Sequence, residues 1–97
     1  MGTYNSARYA VDLKRVPCIQ SKTLPGPKSQ AIHARVEKHF KGLSGQVRLF
    51  PVAFESGAGC ALTDADGNRF IDFSSGIYVT TLGHCHPKVS EAVATYA

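Results

Sequence analysis

The turn sequence Asp-Ala-Asp-Gly-Asn at residues 64–68 constrains the fold of this 97-residue chain more than any other feature. Aspartate, asparagine and glycine tolerate the left-handed backbone of tight turns, and apolar stretches stand on both sides. The pattern therefore predicts a β-hairpin with strands at 60–63 and 69–73. An EF-hand calcium loop is excluded, because its sixth and twelfth positions require glycine and glutamate, where this chain has Arg69 and Ser75.

A helix is predicted on each side of the hairpin. The first extends from about Ser29, a typical N-cap residue, to Lys41, with Gly42 as its terminator. The second begins near Pro87, with His86 close to its N-cap. Apolar side chains recur at helical spacing in both segments, at Ile32, Val36 and Phe40 in the first and at Val89, Ala92, Val93 and Tyr96 in the second.

Shorter apolar stretches surround these elements. Residues 49–54 are apolar and extended, followed by a turn predicted at 57–59. Residues 77–82 are rich in β-branched side chains and predict a strand or an extended loop. Asp72 is expected on the solvent-facing side of its strand. The fold class that follows is α+β: a helix, a small antiparallel hairpin or sheet, and a second helix.

The N-terminal residues 1–28 predict an extended arm, because they are polar, basic and end in a proline-rich run. Residues 1–48 carry nine basic and two acidic side chains, whereas residues 49–97 carry two basic and five acidic ones. The basic residues are scattered singly, which favours a solvated surface over a nucleic-acid-binding arm. A non-catalytic binding or scaffold module is the alternative to an enzyme.

Two observations bear on metals and cellular location. His84, Cys85 and His86 are adjacent, and neighbouring side chains of an extended chain point to opposite faces, so a tight turn is favoured over a metal site. Three widely spaced cysteines encode neither a disulfide framework nor a zinc ribbon, and no secretory signal or membrane-spanning stretch is present. These features predict a cytoplasmic protein.

The chain resembles the N-terminal region of class III aminotransferases, which depend on pyridoxal phosphate. The signature is an aspartate turn followed by aromatic-Ile-Asp-Phe, then Gly-Ile, then Gly-His-x-His-Pro. The residues that carry the resemblance are 50–59, 62–77 and 82–89. A weaker likeness to the 4-aminobutyrate branch lies at residues 24–29.

The resemblance implies the N-terminal part of a fold-type-I α/β transferase, with residues 29–97 forming an incomplete part of the small domain that ends within a helix. Such enzymes are homodimers, and they hold the cofactor on a lysine that lies beyond Ala97, so the 97 residues alone are expected to be inactive. The resemblance places Ile77 against the substrate side chain, whereas its place in the sequence equally allows a core position in the small sheet. Val47 occupies the place of a tyrosine in ornithine-type members, which favours a 4-aminobutyrate-like ω-amino acid as donor and a 2-oxo acid such as 2-oxoglutarate as acceptor.

Overall fold

The computed structural model describes residue 12 and residues 14–40 and 49–97. The elements described, in chain order, are helix α1 (Pro27–His39), strands β1 (Phe54–Ala58), β2 (Ala61–Asp64) and β3 (Arg69–Ile71), and helix α2 (Pro87–Tyr96). A further short helical segment, Ser75–Tyr78, lies between β3 and α2. None of the helices in the described ranges is long and apolar enough to cross a membrane.

The three strands form one antiparallel sheet in the order β1-β2-β3. The predicted hairpin is confirmed: β2 pairs with β3 in a register that places Leu62 opposite Phe70. The Phe70 ring meets the rings of Phe50 and Phe54 edge to face, with centroids 6.1 and 5.9 Å apart. This geometry is favourable for aromatic pairs, and it ties the stretch that leads into β1 to the hairpin.

Strand β1 begins later and ends later than the sequence predicts. The apolar stretch 49–53 precedes the strand, and Gly57 and Ala58, predicted in a turn, are its last residues. A Cβ at position 57 would lie 3.0 Å from both the Cβ of His84 and a methyl of Leu62. Gly57 is therefore a place of close approach between neighbouring segments, and the chain reverses after it, at Gly59.

Helix α1 begins at Pro27 and ends at His39, so both predicted ends are wrong by two residues. Ser29 is not the N-cap, because Gly26 holds that position and Ser29 lies in the first turn. Ser29 is fully buried, and its hydroxyl accepts a 3.2 Å hydrogen bond from the Ala53 amide. Pro27 occupies the first helical turn, where its missing N–H costs nothing. The predicted terminator, Gly42, lies outside the described residues.

Helix α2 begins at Pro87, as predicted. His86 is its N-cap, and the imidazole Nδ1 accepts a 3.3 Å hydrogen bond from the Lys88 amide. The predicted strand or extended loop at 77–82 is wrong, since this stretch begins in a helical turn and continues in further turns. The physical reason is the set of hydrogen bonds that the Asp72 carboxylate and the Ser74 carbonyl accept, described below.

Burial in the described part of the chain is mainly polar. Val16 is its one buried apolar side chain, whereas Ser29, Asp64 and Asn68 have no exposed surface at all. Many large apolar side chains are exposed, among them Phe73, Ile77, Tyr78, Val93 and Tyr96. These segments are therefore held together by hydrogen bonds around the hairpin turn more than by an apolar core.

Candidate functional site

The segment Ser75–Tyr78 has the most unusual backbone in the described residues. Its φ angles are all positive: 50° at Ser75, 59° at Gly76, 67° at Ile77 and 64° at Tyr78. A residue with a Cβ pays about 1–2 kcal/mol in this left-handed region, and three of the four carry one. Strained backbone of this kind persists only where its surroundings hold it, and it clusters at functional sites.

The Asp72 carboxylate holds the start of this left-handed turn through hydrogen bonds. Its Oδ1 accepts three hydrogen bonds, from the amide of Ser74 at 2.9 Å, the hydroxyl of Ser74 at 2.8 Å and the amide of Ser75 at 3.0 Å. The carbonyl of Ser74 then accepts from the amides of Ile77 and Tyr78, each at 2.9 Å. The turn is thus anchored at its first residues by one carboxylate and closed by its own backbone.

The other oxygen of the same carboxylate, Asp72 Oδ2, lies 2.6 Å from Nε2 of His84. Hydrogen bonding to His84 is the largest influence on the pKa of Asp72, and with the bonds from Ser74 and Ser75 it outweighs desolvation and lowers that pKa. Asp72 is therefore ionised at neutral pH, so Nε2 of His84 carries the hydrogen and donates it. The Asp72 side chain is only 6% exposed, and its expected place on the solvent-facing side is wrong because β3 ends at Ile71.

His84 is fixed to the sheet through its own backbone. Its amide donates to the carbonyl of Gly59 at 2.8 Å, and its carbonyl accepts from the Gly59 amide at 3.1 Å. The Asp72 amide, in turn, donates to the carbonyl of Cys60 at 2.8 Å. Both members of the Asp72–His84 pair are therefore bound through their backbones to residues 59–60, where the chain turns from β1 into β2.

Ile77 projects from this anchored turn with 70% of its surface exposed. The other role that its place in the sequence allows, a core side chain of the small sheet, is not the one that Ile77 has. An exposed isoleucine on a rigid backbone can contact the apolar part of a small molecule, which is the role that the resemblance implies for it. Val47, the other predicted site residue, lies outside the described residues.

A second polar cluster surrounds the hairpin turn. Asp64 Oδ1 accepts from the amides of Asp66 and Asn68 at 2.9 and 2.8 Å. Asn68 Oδ1 accepts from the amides of Gln20 and Ser21 at 2.7 and 2.9 Å. Asn68 Nδ2 donates to the Ser21 hydroxyl and to Asp64 Oδ2, both at 2.8 Å. This cluster clamps the segment at 20–21 onto the turn.

The remaining acid of the turn, Asp66, caps helix α1. Its two carboxylate oxygens accept from the amides of Lys28 at 2.7 Å and Ser29 at 2.9 Å. Desolvation is the largest single influence and raises the pKa of Asp66, but these hydrogen bonds and the nearby Lys28 charge together lower it. Because the side chains of Asp64, Asp66 and Asn68 all bind groups of their own chain, the role of this cluster is structural.

The sequence predicted the hairpin turn and the place of His86 near the N-cap of α2, but it did not predict that His84 pairs with Asp72. His84 binds Asp72 and His86 caps α2, so the two histidines have different tasks. Within the described ranges, no group of three or more histidine, cysteine or acidic residues is arranged to hold a metal ion. The one signal for the Asp72–His84 pair was their common membership of the quoted signature.

The described residues do not by themselves fit pyridoxal phosphate. All five lysines in the described ranges are exposed, so none is enclosed where it would hold an aldehyde: Lys14, Lys22, Lys28, Lys38 and Lys88. No buried side-chain polar atom in this part of the chain lacks a hydrogen-bond partner, so no buried side chain is left unpaired for a phosphate or a pyridine ring.

Comparison with known proteins assigns the family. The class-III aminotransferase family model matches residues 43–97, which is more than half of the chain. Acetylornithine aminotransferase of Gloeobacter violaceus is 52% identical over 48 residues, 50% of this chain and 12% of that enzyme. Glutamate-1-semialdehyde 2,1-aminomutase of Legionella pneumophila is 43% identical over 70 residues, 72% of this chain and 14% of that enzyme. The chain thus spans about one-eighth of the length of these relatives, and it belongs to the class-III aminotransferase family.

Proposed function

We propose that the intact protein transfers an amino group from a 4-aminobutyrate-like ω-amino acid to a 2-oxo acid such as 2-oxoglutarate. The observation that carries this proposal is the exposed Ile77 on its anchored turn, inside the segment that matches the family. The relatives, an acetylornithine aminotransferase and a glutamate-1-semialdehyde aminomutase, support the reaction class more than the donor. The choice of donor rests on Val47, which cannot supply the hydroxyl that a tyrosine would give to a distal amine.

The chain's own contribution is a wall of the substrate site. An isoleucine side chain in contact with the methylene groups of a donor removes apolar surface from water, at about 0.8 kcal/mol for each methylene buried. The anchored turn holds that side chain in place before the donor binds, so binding loses little conformational entropy of the side chain. Pyridoxal phosphate, when bound, supplies the electron sink for amino transfer.

The 97 residues alone are proposed to be inactive, since no described lysine is enclosed in a site. They are proposed to pack against the remainder of an aminotransferase chain in a homodimer. The exposed apolar side chains of α2, at Val89, Val93 and Tyr96, support a covered face, because contiguous apolar surface on soluble proteins marks interaction sites. The division into an arm (1–28) and a part of the small domain (29–97), and the cytoplasmic location, belong to the same proposal.

The test is amino transfer by the full-length product of the gene. With pyridoxal phosphate, 4-aminobutyrate and 2-oxoglutarate, we expect glutamate to form, and we expect the 97-residue chain under the same conditions to form none. N-acetylornithine and ornithine serve as alternative donors. If the full-length product forms no glutamate from 4-aminobutyrate, the proposed function is refuted, whether or not N-acetylornithine or ornithine is used. Glutamate formation by the 97-residue chain would refute its inactivity.

A further inference from the structure

We infer that Asp72 and His84 form a positioning pair that sets the donor contact made by Ile77. The inference rests on the proposed function and names the groups that control the proposed substrate wall. Neither side chain is placed against the substrate; both act through the left-handed turn. His84 is joined to Asp72, Asp72 to the first residues of the turn, and the turn carries Ile77.

The first step of the inference is that the turn needs an external anchor. Ser75, Ile77 and Tyr78 hold a backbone conformation that side chains with a Cβ disfavour. Of the hydrogen bonds that fix its start, three end on one atom, Asp72 Oδ1. Loss of that acceptor would leave the Ser74 and Ser75 amides unpaired and allow the turn to relax toward ordinary backbone angles, and Ile77 would move with it.

The second step concerns the orientation of the carboxylate. A carboxylate has two equivalent oxygens and rotates about its Cβ–Cγ bond unless both are engaged. The 2.6 Å bond from His84 Nε2 occupies Oδ2 and leaves Oδ1 aimed at the turn. His84 in turn is held by two backbone hydrogen bonds to Gly59 and by the close approach of Gly57. The sheet therefore fixes the orientation of the Asp72 carboxylate through His84.

The chain offers a matched control for a histidine–carboxylate pair. His33 Nε2 lies 3.5 Å from Glu37 Oε1, one turn apart on helix α1. This pair has the same chemical groups, but it is remote in sequence from the turn and has no hydrogen bond to it. His33→Ala thus controls for the loss of an imidazole without loss of the anchor.

The experiment compares donor kinetics of full-length variants. We expect His84→Ala and Asp72→Ala to raise the KM for 4-aminobutyrate about tenfold, the effect of losing about one well-placed contact, with a smaller change in kcat. His84→Gln retains an N–H donor and is expected to recover most of the wild-type KM. His33→Ala is expected to leave KM unchanged.

A double-mutant cycle separates positioning from a general loss of structure. If His84 acts through Ile77, His84→Ala in an Ile77→Ala background should change KM less than twofold, because the contact is already gone. An active enzyme in which the two effects multiply, or in which His84→Ala leaves the donor KM unchanged, would overturn the positioning role and leave the proposed function intact. A full-length product without amino transfer would overturn both.

A second measurement does not depend on activity. Amide hydrogen exchange in the full-length product is expected to speed up about tenfold at Ser74 and Ser75 in Asp72→Ala, because each amide loses one hydrogen bond to the carboxylate. His84→Ala should give a smaller acceleration at the same amides, and His33→Ala none. Unchanged exchange at Ser74 and Ser75 in both variants would show that the pair does not hold the turn.

Discussion

Replacement of Asn68 by alanine should release the segment at 20–21 from the hairpin turn. The side chain makes four hydrogen bonds, of which three reach across to Gln20 and Ser21 and one to Asp64. Asn68 is fully buried, so its partners lose their bonds without immediate access to water. The backbone bonds between Cys18 and Arg69, at 2.9 and 2.8 Å, remain.

The magnitude follows from the three cross-segment bonds. At about 1 kcal/mol net for each, their loss weakens attachment of the segment by about 3 kcal/mol. Since about 1.4 kcal/mol corresponds to a factor of ten, amide exchange at Gln20 and Ser21 should accelerate by about 100-fold, or up to the limit set by the protection present in the wild type.

The assay is amide hydrogen exchange followed by NMR on the 97-residue chain. Gln30→Ala is the control, because its side chain makes one exposed hydrogen bond, at 2.8 Å to the Pro25 carbonyl, and should leave exchange at Gln20 and Ser21 within about threefold of the wild type. Equal exchange at these two amides in Asn68→Ala and in the wild type would refute the clamp.

Three further outcomes are expected around the same turn. Asn68→Asp should place a second carboxylate beside that of Asp64. Urea denaturation should then show a lower free energy of unfolding at pH 7 than at pH 5, because at the lower pH one of the two acids takes up a proton and donates a hydrogen bond to the other. The pKa of Asp66 is lowered in the folded chain, so the stabilisation from its capping of α1 is present above the usual pKa of 3.8 and is lost as pH falls through the lower folded pKa. The NMR shifts of the Lys28 and Ser29 amides should therefore titrate with a midpoint below 3.8. A midpoint at or above 3.8 would contradict the cap. Gly26→Ala should displace the Asp66 carboxyl group, which a Cβ at residue 26 would overlap, and so reduce α1 helicity in circular dichroism; an unchanged spectrum would count against that contact.

The elements predictable from sequence are those specified by their own residues. The hairpin follows from the turn composition at 64–68, and the start of α2 follows from Pro87 and His86, because φ restriction and capping act within a few residues. The start of α1 was misplaced because its cap comes from Asp66, 38 residues beyond Lys28. No periodicity in a single sequence reveals a carboxylate donated by another segment.

The same distinction between local and distant determinants applies to the candidate site. Ile77 was found through the family signature, but its left-handed backbone was not, since one glycine at position 76 does not indicate four consecutive positive φ angles. That conformation is imposed by Asp72, whose own environment depends on His84, 12 residues away. Asp72 was therefore expected at the surface, because alternation along a strand says nothing of a residue that has just left the sheet.

The most direct measurement of the central claim is donor selectivity in the full-length product with Ile77 replaced by alanine. If Ile77 contacts the methylene chain of the donor, the ratio of kcat/KM for 4-aminobutyrate to that for β-alanine, one methylene shorter, should change by about tenfold. His33→Ala, which removes an imidazole that pairs with Glu37 on α1, should leave the ratio unchanged. An active Ile77→Ala enzyme with the wild-type ratio would contradict the placement of Ile77 against the donor.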